Sequence, residues 1–365
     1  MMEQEQSNAQ KAVMVDNTRL VGNIETTPIK WWAFLGALIL AFILYIWGKF
    51  LLTSAGSVTI LHALIPDDEW RVSAFRTIEV CAVVAGILTL YFSVWKPYRR
   101  EGRLTTSALV ILCMPFMIFW DSTANALLPW WAWSHYWINI GNWAPLIPGV
   151  INPTIGQNGE PLWLLLGYMW GLGYPILLCA MLMRWWKQKY QKTSAMGIFF
   201  VGMMGGIIYD LVLEIPFTAI QGWTQFGAPR YLSIFPGTLW QISIPEIIGW
   251  GGMCGLCANV LYWTNDKGQT FVERGVEKLK CSDAAKTGLR YLAFLAIFQV
   301  IIIGWYVIPG NLASLYGSDP LPNTPAHVIM GHCGEGTDYH CPGPGVPILR
   351  KSGLIITPDE RLIRK

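Results

Sequence analysis

Charge is scarce in this sequence. Lys, Arg, Asp and Glu make up 13% of its 365 residues, about half the share of a soluble globular domain. Histidine is scarcer still, at five residues. A membrane di-iron hydroxylase or desaturase needs more imidazoles than that, and needs them clustered. There is no GxxxxGK[ST] loop, no GxGxxG turn and no GxSxG elbow. Nucleotide-driven, nicotinamide-dependent and serine-hydrolase chemistry therefore lose the features that usually announce them. Basic runs such as Lys96–Arg100 flank apolar segments, and nothing points to a nucleic-acid partner. A secretory leader is not expected either, because the first 30 residues are polar and the first apolar run starts at Trp31.

What the chain has in abundance is apolar length. It is 53% hydrophobic and carries 20 tryptophans, which concentrate at membrane interfaces. Runs near the roughly 20 residues that cross a bilayer fall at about 31–53, 74–95, 105–120, 161–183, 194–215, 241–264 and 288–308. This predicts an all-α polytopic membrane protein of seven transmembrane helices. Its expected division is a poorly ordered polar tail over 1–30, a helical domain over 31–316 and a C-terminal tail over 317–365. Lys and Arg crowd the connections at 96–103, 184–192 and 267–290, whereas 121–160 has none and 216–240 only Arg230. The positive-inside rule then sets the N-terminus in the cytoplasm and the C-terminus outside, in a plasma or inner membrane if the cell is bacterial.

The segment Trp120–Gly149 holds six tryptophans and no Lys or Arg. It is too apolar for a solvated loop. Pro129, Pro145 and Pro148 break it too often for one spanning helix. We expect an external re-entrant or interfacial loop that roofs a pocket; the alternative is an aromatic belt that only holds the protein at its interface.

Ionisable side chains inside spans are costly and usually functional. Glu79, Asp121, Asp210, Glu214 and Glu246 all fall near the external ends of their spans, so four helices bring acids to one level. Asp210 and Glu214 are four apart and share a helix face. Two carboxyls so close in low dielectric cannot both ionise cheaply, which would supply an acid and a base together. Each acid also has a plainer reading. Asp210 and Glu214 could pair with Arg76, Arg230 or an indole, Glu79 could pair with Arg76, Glu246 could start a helix, and Asp121 with Asn125 could cap one. His62 and His135 lie in external connections, where hydrogen bonding is the ordinary role. Cys254 and Cys257 form a CxxC in a glycine-rich span, read as close helix packing. In the tail, His327, His332, Cys333, His340 and Cys341 could bind zinc, or the two cysteines could form a disulfide.

Several short motifs occur together: D-x-x-x-N at Asp121 and Asn125, N-x-G-x-W at Asn139, Gly141 and Trp143, I-P-G at Ile147–Gly149, and E-P-L at Glu160–Leu162. With YDLVLE at Tyr209–Glu214 and V-I-P-G-N at Val307–Asn311, the chain resembles the AveC-like spirocyclase family over most of 31–316. The resemblance implies a multi-spanning membrane protein that forms a spiroketal from a dihydroxy-ketone, or dehydrates, without a metal or redox cofactor. The expected partners are membrane lipid and a lipophilic small-molecule substrate. Asp121, Asp210, Glu214 and Glu246 are then the expected catalytic residues, with Asn125, His135, Asn139, Trp143 and Glu79 expected to bind substrate. A seven-span terpene cyclase, a proton-coupled transporter, a lipid-binding membrane protein and a structural subunit are the competing readings.

Overall fold

The structure is a computed structural model. It describes residues 27–53 and 70–318, His327, His332, and the backbone of two-residue strands at 355–356 and 362–363. His62, Cys333, His340 and Cys341 lie outside the described residues, as do most of the two tails.

Among the described residues, seven helices are long and apolar enough to cross a membrane: α1 Pro28–Leu52, α2 Trp70–Glu101, α3 Thr106–Asn125, α4 Leu164–Lys189, α5 Ala195–Ala219, α6 Ile244–Tyr262 and α7 Asp283–Ser314. Their starts are written locally. Thr105, Ser194, Ser243 and Ser282 each accept a hydrogen bond from the backbone N–H three residues on, satisfying a donor that the first helical turn leaves open. The most hydrophobic windows of α3 and α6 are 72% buried and those of α1 and α2 only 22%, so the former are central and the latter peripheral. Between α5 and α6 the backbones nearly touch. A methyl group on Gly206 would overlap the Gly251 carbonyl oxygen. Cys254 and Cys257 are buried, unbridged thiols beside that contact, in line with close packing.

Three helices are irregular where it matters. After Thr106–Cys113, α3 continues as short 3-10 turns at Met114–Phe116, Ile118–Trp120 and Ser122–Asn125. Helices α6 and α7 each contain a π-helical stretch, at Ile247–Gly251 and Ile302–Val307. The two stretches pack on each other. The Trp305 indole N–H donates to the Ile248 carbonyl at 2.9 Å, satisfying an acceptor within the wider turn.

The tryptophan-rich segment turns inward. Trp130, Trp131, Trp133, Trp137 and Trp143 are all buried, so among these side chains the aromatic belt is replaced by a packed cover. Its strand β1 (Ala132–Trp133) pairs antiparallel with β2 (Trp223–Thr224) from the α5–α6 connection. A second pair, β3 (Ser233–Ile234) with β4 (Ile242–Ser243), leads into α6. At the opposite end Arg290 ties Glu273 (2.7 Å) and Thr106 (2.9 Å) together, and Arg184 donates to the Leu261 carbonyl. The Lys/Arg-rich connections thus sit at one end of the bundle and the aromatic cover at the other.

Candidate active site

Under the cover lies a cavity with about 750 Å³ of empty space, the open solvent at its mouth included. Asp121 from α3, Glu214 from α5 and Glu246 from α6 line it, with Tyr168 from α4, Tyr306 from α7 and Gln225 from the α5–α6 connection. The walls are aromatic. Trp133 meets Trp223 edge-on at 5.0 Å, and Trp223 stacks on Phe217, also at 5.0 Å. Trp250 stands edge-on to both Tyr168 and Tyr306, at 5.6 and 5.3 Å. Trp250 and Tyr306 both belong to the π-helical stretches, whose extra residue per turn shifts the facing register of a helix.

The polar groups are held unequally. The Gln225 side-chain oxygen accepts the Ser243 N–H at 2.7 Å. Its amide nitrogen must therefore face the other way, where it donates to Glu214 Oε2 at 3.4 Å. Ser243 in turn caps the Glu246 N–H. Several buried groups around the void have no hydrogen-bond partner in the described residues: Asp121 Oδ2, Glu246 Oε2, and the indole N–H of Trp131 and Trp163. Orphaned buried donors and acceptors cost about 1–3 kcal/mol each, so a ligand with hydroxyl or carbonyl oxygens would relieve several at once.

Behind Asp121 lies a carboxyl that the sequence pattern did not place in the site. Glu160 is wholly buried and accepts a hydrogen bond from the Ser122 hydroxyl. Burial first, and then the charge of Asp121, push its carboxyl well above the usual carboxylate range, which favours the protonated form. Glu160 stands in the E-P-L motif outside any apolar run, where a search for acids inside spans does not look. Only the motif itself could have flagged it.

The other expected residues fall into two groups. Asp210 is wholly buried one turn deeper than Glu214, with neither oxygen hydrogen-bonded in the described residues, but it does not line the cavity. Its β-carbon packs against Gly251. The five expected substrate-binding residues lie outside the cavity. Glu79 accepts from Arg76 at 2.5 Å and from the Ile138 N–H at 2.7 Å. Asn125 binds the backbone of Trp130 and Trp131 through three hydrogen bonds. Asn139 donates to the Trp137 carbonyl, and the Trp143 indole to the Phe119 carbonyl. The His135 N–H donates to the His327 carbonyl. All five build the cover or anchor it. Asp121 and Asn125 part company for a geometric reason. Four residues span about 400° in an α-helix and about 480° in a 3-10 helix, so the two side chains diverge by about 120° rather than sharing a face.

Neither a curated protein nor a solved structure is significantly similar to the chain. The family model described as spirocyclase AveC-like matches residues 101–327. The match takes in every motif from Asp121 to Asn311 but begins at the end of α2, so α1 and most of α2 fall outside it, whereas the expected resemblance ran over most of 31–316. Because that match covers more than half of the chain, the protein belongs to the AveC-like spirocyclase family.

Proposed function

We propose that this protein is a membrane-embedded cyclase that closes a spiroketal or dehydrates a lipophilic hydroxy-ketone by carboxyl acid–base catalysis. The observation that supports this most is the convergence of Asp121, Glu214 and Glu246, from three helices, on one aromatic-walled cavity. The overall change is ring closure of a dihydroxy-ketone with loss of one water. One hydroxyl adds to the ketone to give a hemiketal. A carboxyl then protonates the hemiketal hydroxyl, water leaves, and an oxocarbenium ion remains. The second hydroxyl attacks that carbon and gives its proton to a carboxylate, which restores the acid. No electron is gained or lost.

Each feature has a place in that sequence. Glu214, oriented by the Gln225 amide, and Glu246, beside Tyr306, supply acid and base. Asp121 faces Tyr168 and Trp133 and offsets the positive charge of the cation together with the indole faces, since cations are attracted to aromatic π-faces. Asp210 supports Glu214 from one turn below. The same aromatic walls would suit a carbocation, so alkene protonation as in a terpene cyclase is the second reading. On the positive-inside rule the acid end lies on the non-cytoplasmic side.

The test is turnover of a synthetic dihydroxy-ketone bearing long alkyl arms, followed by mass spectrometry with purified protein. Asp121→Asn, Glu214→Gln and Glu246→Gln should each lower the rate by about 10²–10⁴-fold, the range for general acid–base groups. Full turnover in all three, normally folded, would sink the proposal. Turnover of a polyene in place of the ketone would favour the second reading.

A further inference from the structure

Helix α4 is broken at Leu172, between Leu164–Gly171 and Gly173–Lys189. The two halves choose different neighbours. Gly173–Lys189 packs along α5 and α6, whereas Leu164–Gly171 leans on α2. There the Trp170 indole N–H donates to the Ala82 carbonyl at 3.0 Å. The upper half of α4 therefore departs from α5, and the cavity reaches outward through the gap. Gly167, Trp170 and Gly171 line one side of it, and Leu213 and Phe217 the other. Trp170, Gly171, Leu213 and Phe217 are only half-buried, unlike Trp163, Tyr168 and Glu214 deeper in. Below the gap the helices are fastened again, because the Tyr209 hydroxyl donates to the Gly171 carbonyl. A methyl on Gly171 would meet nothing within 4 Å, so a side chain at this position would stand in open space.

The surface outside the gap is apolar. Phe200, Met204, Ile208 and Val212 form an exposed stripe at four-residue spacing along α5, the repeat of one helix face. Leu178 and Met181 extend it on α4. Such a face on a spanning helix lies against lipid chains. The other end of the cavity is closed by the buried indoles of the cover.

We infer that the gap between Leu164–Gly171 of α4 and Leu213–Phe217 of α5 is a lateral portal through which substrate enters from the bilayer. This rests on the proposed cyclase reading and narrows its substrate class. The substrate carries its hydroxyl and carbonyl oxygens on a segment small enough to reach Glu214 and Glu246. It also bears an extended apolar chain that lies between Trp170 and Phe217 and trails into lipid during turnover.

The test uses the full chain in phosphatidylcholine vesicles containing a diazirine-bearing fatty alcohol, with illumination and peptide mass spectrometry. Adducts are expected on the cavity residues Trp163 and Trp250 as well as on the outer residues Val212 and Leu178. In the double variant Gly171→Phe, Leu213→Trp, cavity adducts should fall several-fold while outer adducts persist, which also reports that the variant is folded. Absence of cavity adducts in the parent, or cavity labelling that filling the gap leaves unchanged, overturns the portal. Stronger cavity labelling by a sulfonated, water-soluble diazirine than by the fatty alcohol overturns it too. Labelling reads access to the cavity alone, and turnover reads the chemistry. A failure of the carboxyl mechanism would therefore appear only in turnover, and a failure of the portal only in labelling.

Discussion

Asn125→Ala should collapse the order of the aromatic cover. The side chain is wholly buried. Its oxygen accepts the Trp130 N–H at 2.9 Å and the Trp131 N–H at 3.3 Å, and its nitrogen donates to the Trp131 carbonyl at 2.9 Å. Alanine strands two backbone donors and one acceptor where water does not reach. Each such group costs about 1–3 kcal/mol. The 3.3 Å contact is the weaker arm of a shared acceptor and adds little, so the other two groups sum to about 2–6 kcal/mol. Asn125→Asp keeps the acceptor for both N–H groups but turns a second oxygen toward the Trp131 carbonyl, and should fall between parent and alanine. Denaturant unfolding in detergent gives the free energies, and near-ultraviolet circular dichroism reports the tryptophan environment. Because Trp131 and Trp133 wall the cavity, alanine should also dull their near-ultraviolet signal before global unfolding. A variant within about 0.5 kcal/mol of the parent, the range of neutral surface changes, would refute the role given to Asn125.

Other outcomes follow from single contacts. Glu160 has a raised carboxyl pKa when folded. Above about pH 4.3 the unfolded chain releases this proton while the folded chain keeps it. Stability therefore falls as pH rises through the folded pKa, by about 1.4 kcal/mol for each pH unit between the two pKa values. Glu160→Gln retains an acceptor for Ser122 and removes that slope; unfolding of parent and variant across about pH 4 to pH 8 should diverge with rising pH, and parallel curves would contradict it. His332 hydrogen-bonds Thr154 at 3.2 Å, and burial, then the neighbouring His135, lower its imidazole to about 3. Docking of His332 is thus fully present above about pH 6.5 and weakens as pH falls toward the folded value, which hydrogen exchange of its peptide should report as faster exchange on acidification. Gly206→Ala drives a methyl into the Gly251 carbonyl oxygen, so α5 and α6 must separate; a loss of about 1–3 kcal/mol is expected, measurable by the same unfolding assay.

The seven helices were legible because apolar length alone sets them, and their ends lie within six residues of the expected ones. Convergence of Asp121, Glu214 and Glu246 was legible as well, since alternating spans force the ends of α3 and α5 and the start of α6 to one level. The plainer reading of Glu79 was also present in the sequence, with Arg76 three residues away; the structure adds that the pair grips Tyr136 and Ile138. What could not be read was long-range or irregular. The pairing of Trp133 with Trp223 joins residues far apart in the chain, and no local pattern announces it. The π-helical stretches that present Trp250 and Tyr306 leave no periodic signature in a uniformly apolar run. Nor does the D-x-x-x-N spacing show that the backbone from Ser122 to Asn125 is wound as 3-10, which turns Asn125 to the backbone of Trp130 and Trp131.

That winding also answers a question of reach. At 20 residues, α3 is shorter than most of its neighbours and, if α-helical throughout, would extend about 30 Å. Its first eight residues are α-helical, but 3-10 turns climb about 2.0 Å per residue against about 1.5 Å. With its remaining residues drawn out in this way the same segment extends to about 36 Å. The thinner, stretched half can run through the crowded centre of the bundle and still deliver Asp121 to the height of Glu214 and Glu246. Restoring ordinary winding there would leave that carboxyl several ångströms short of Glu214 and Glu246, with its sequence unchanged.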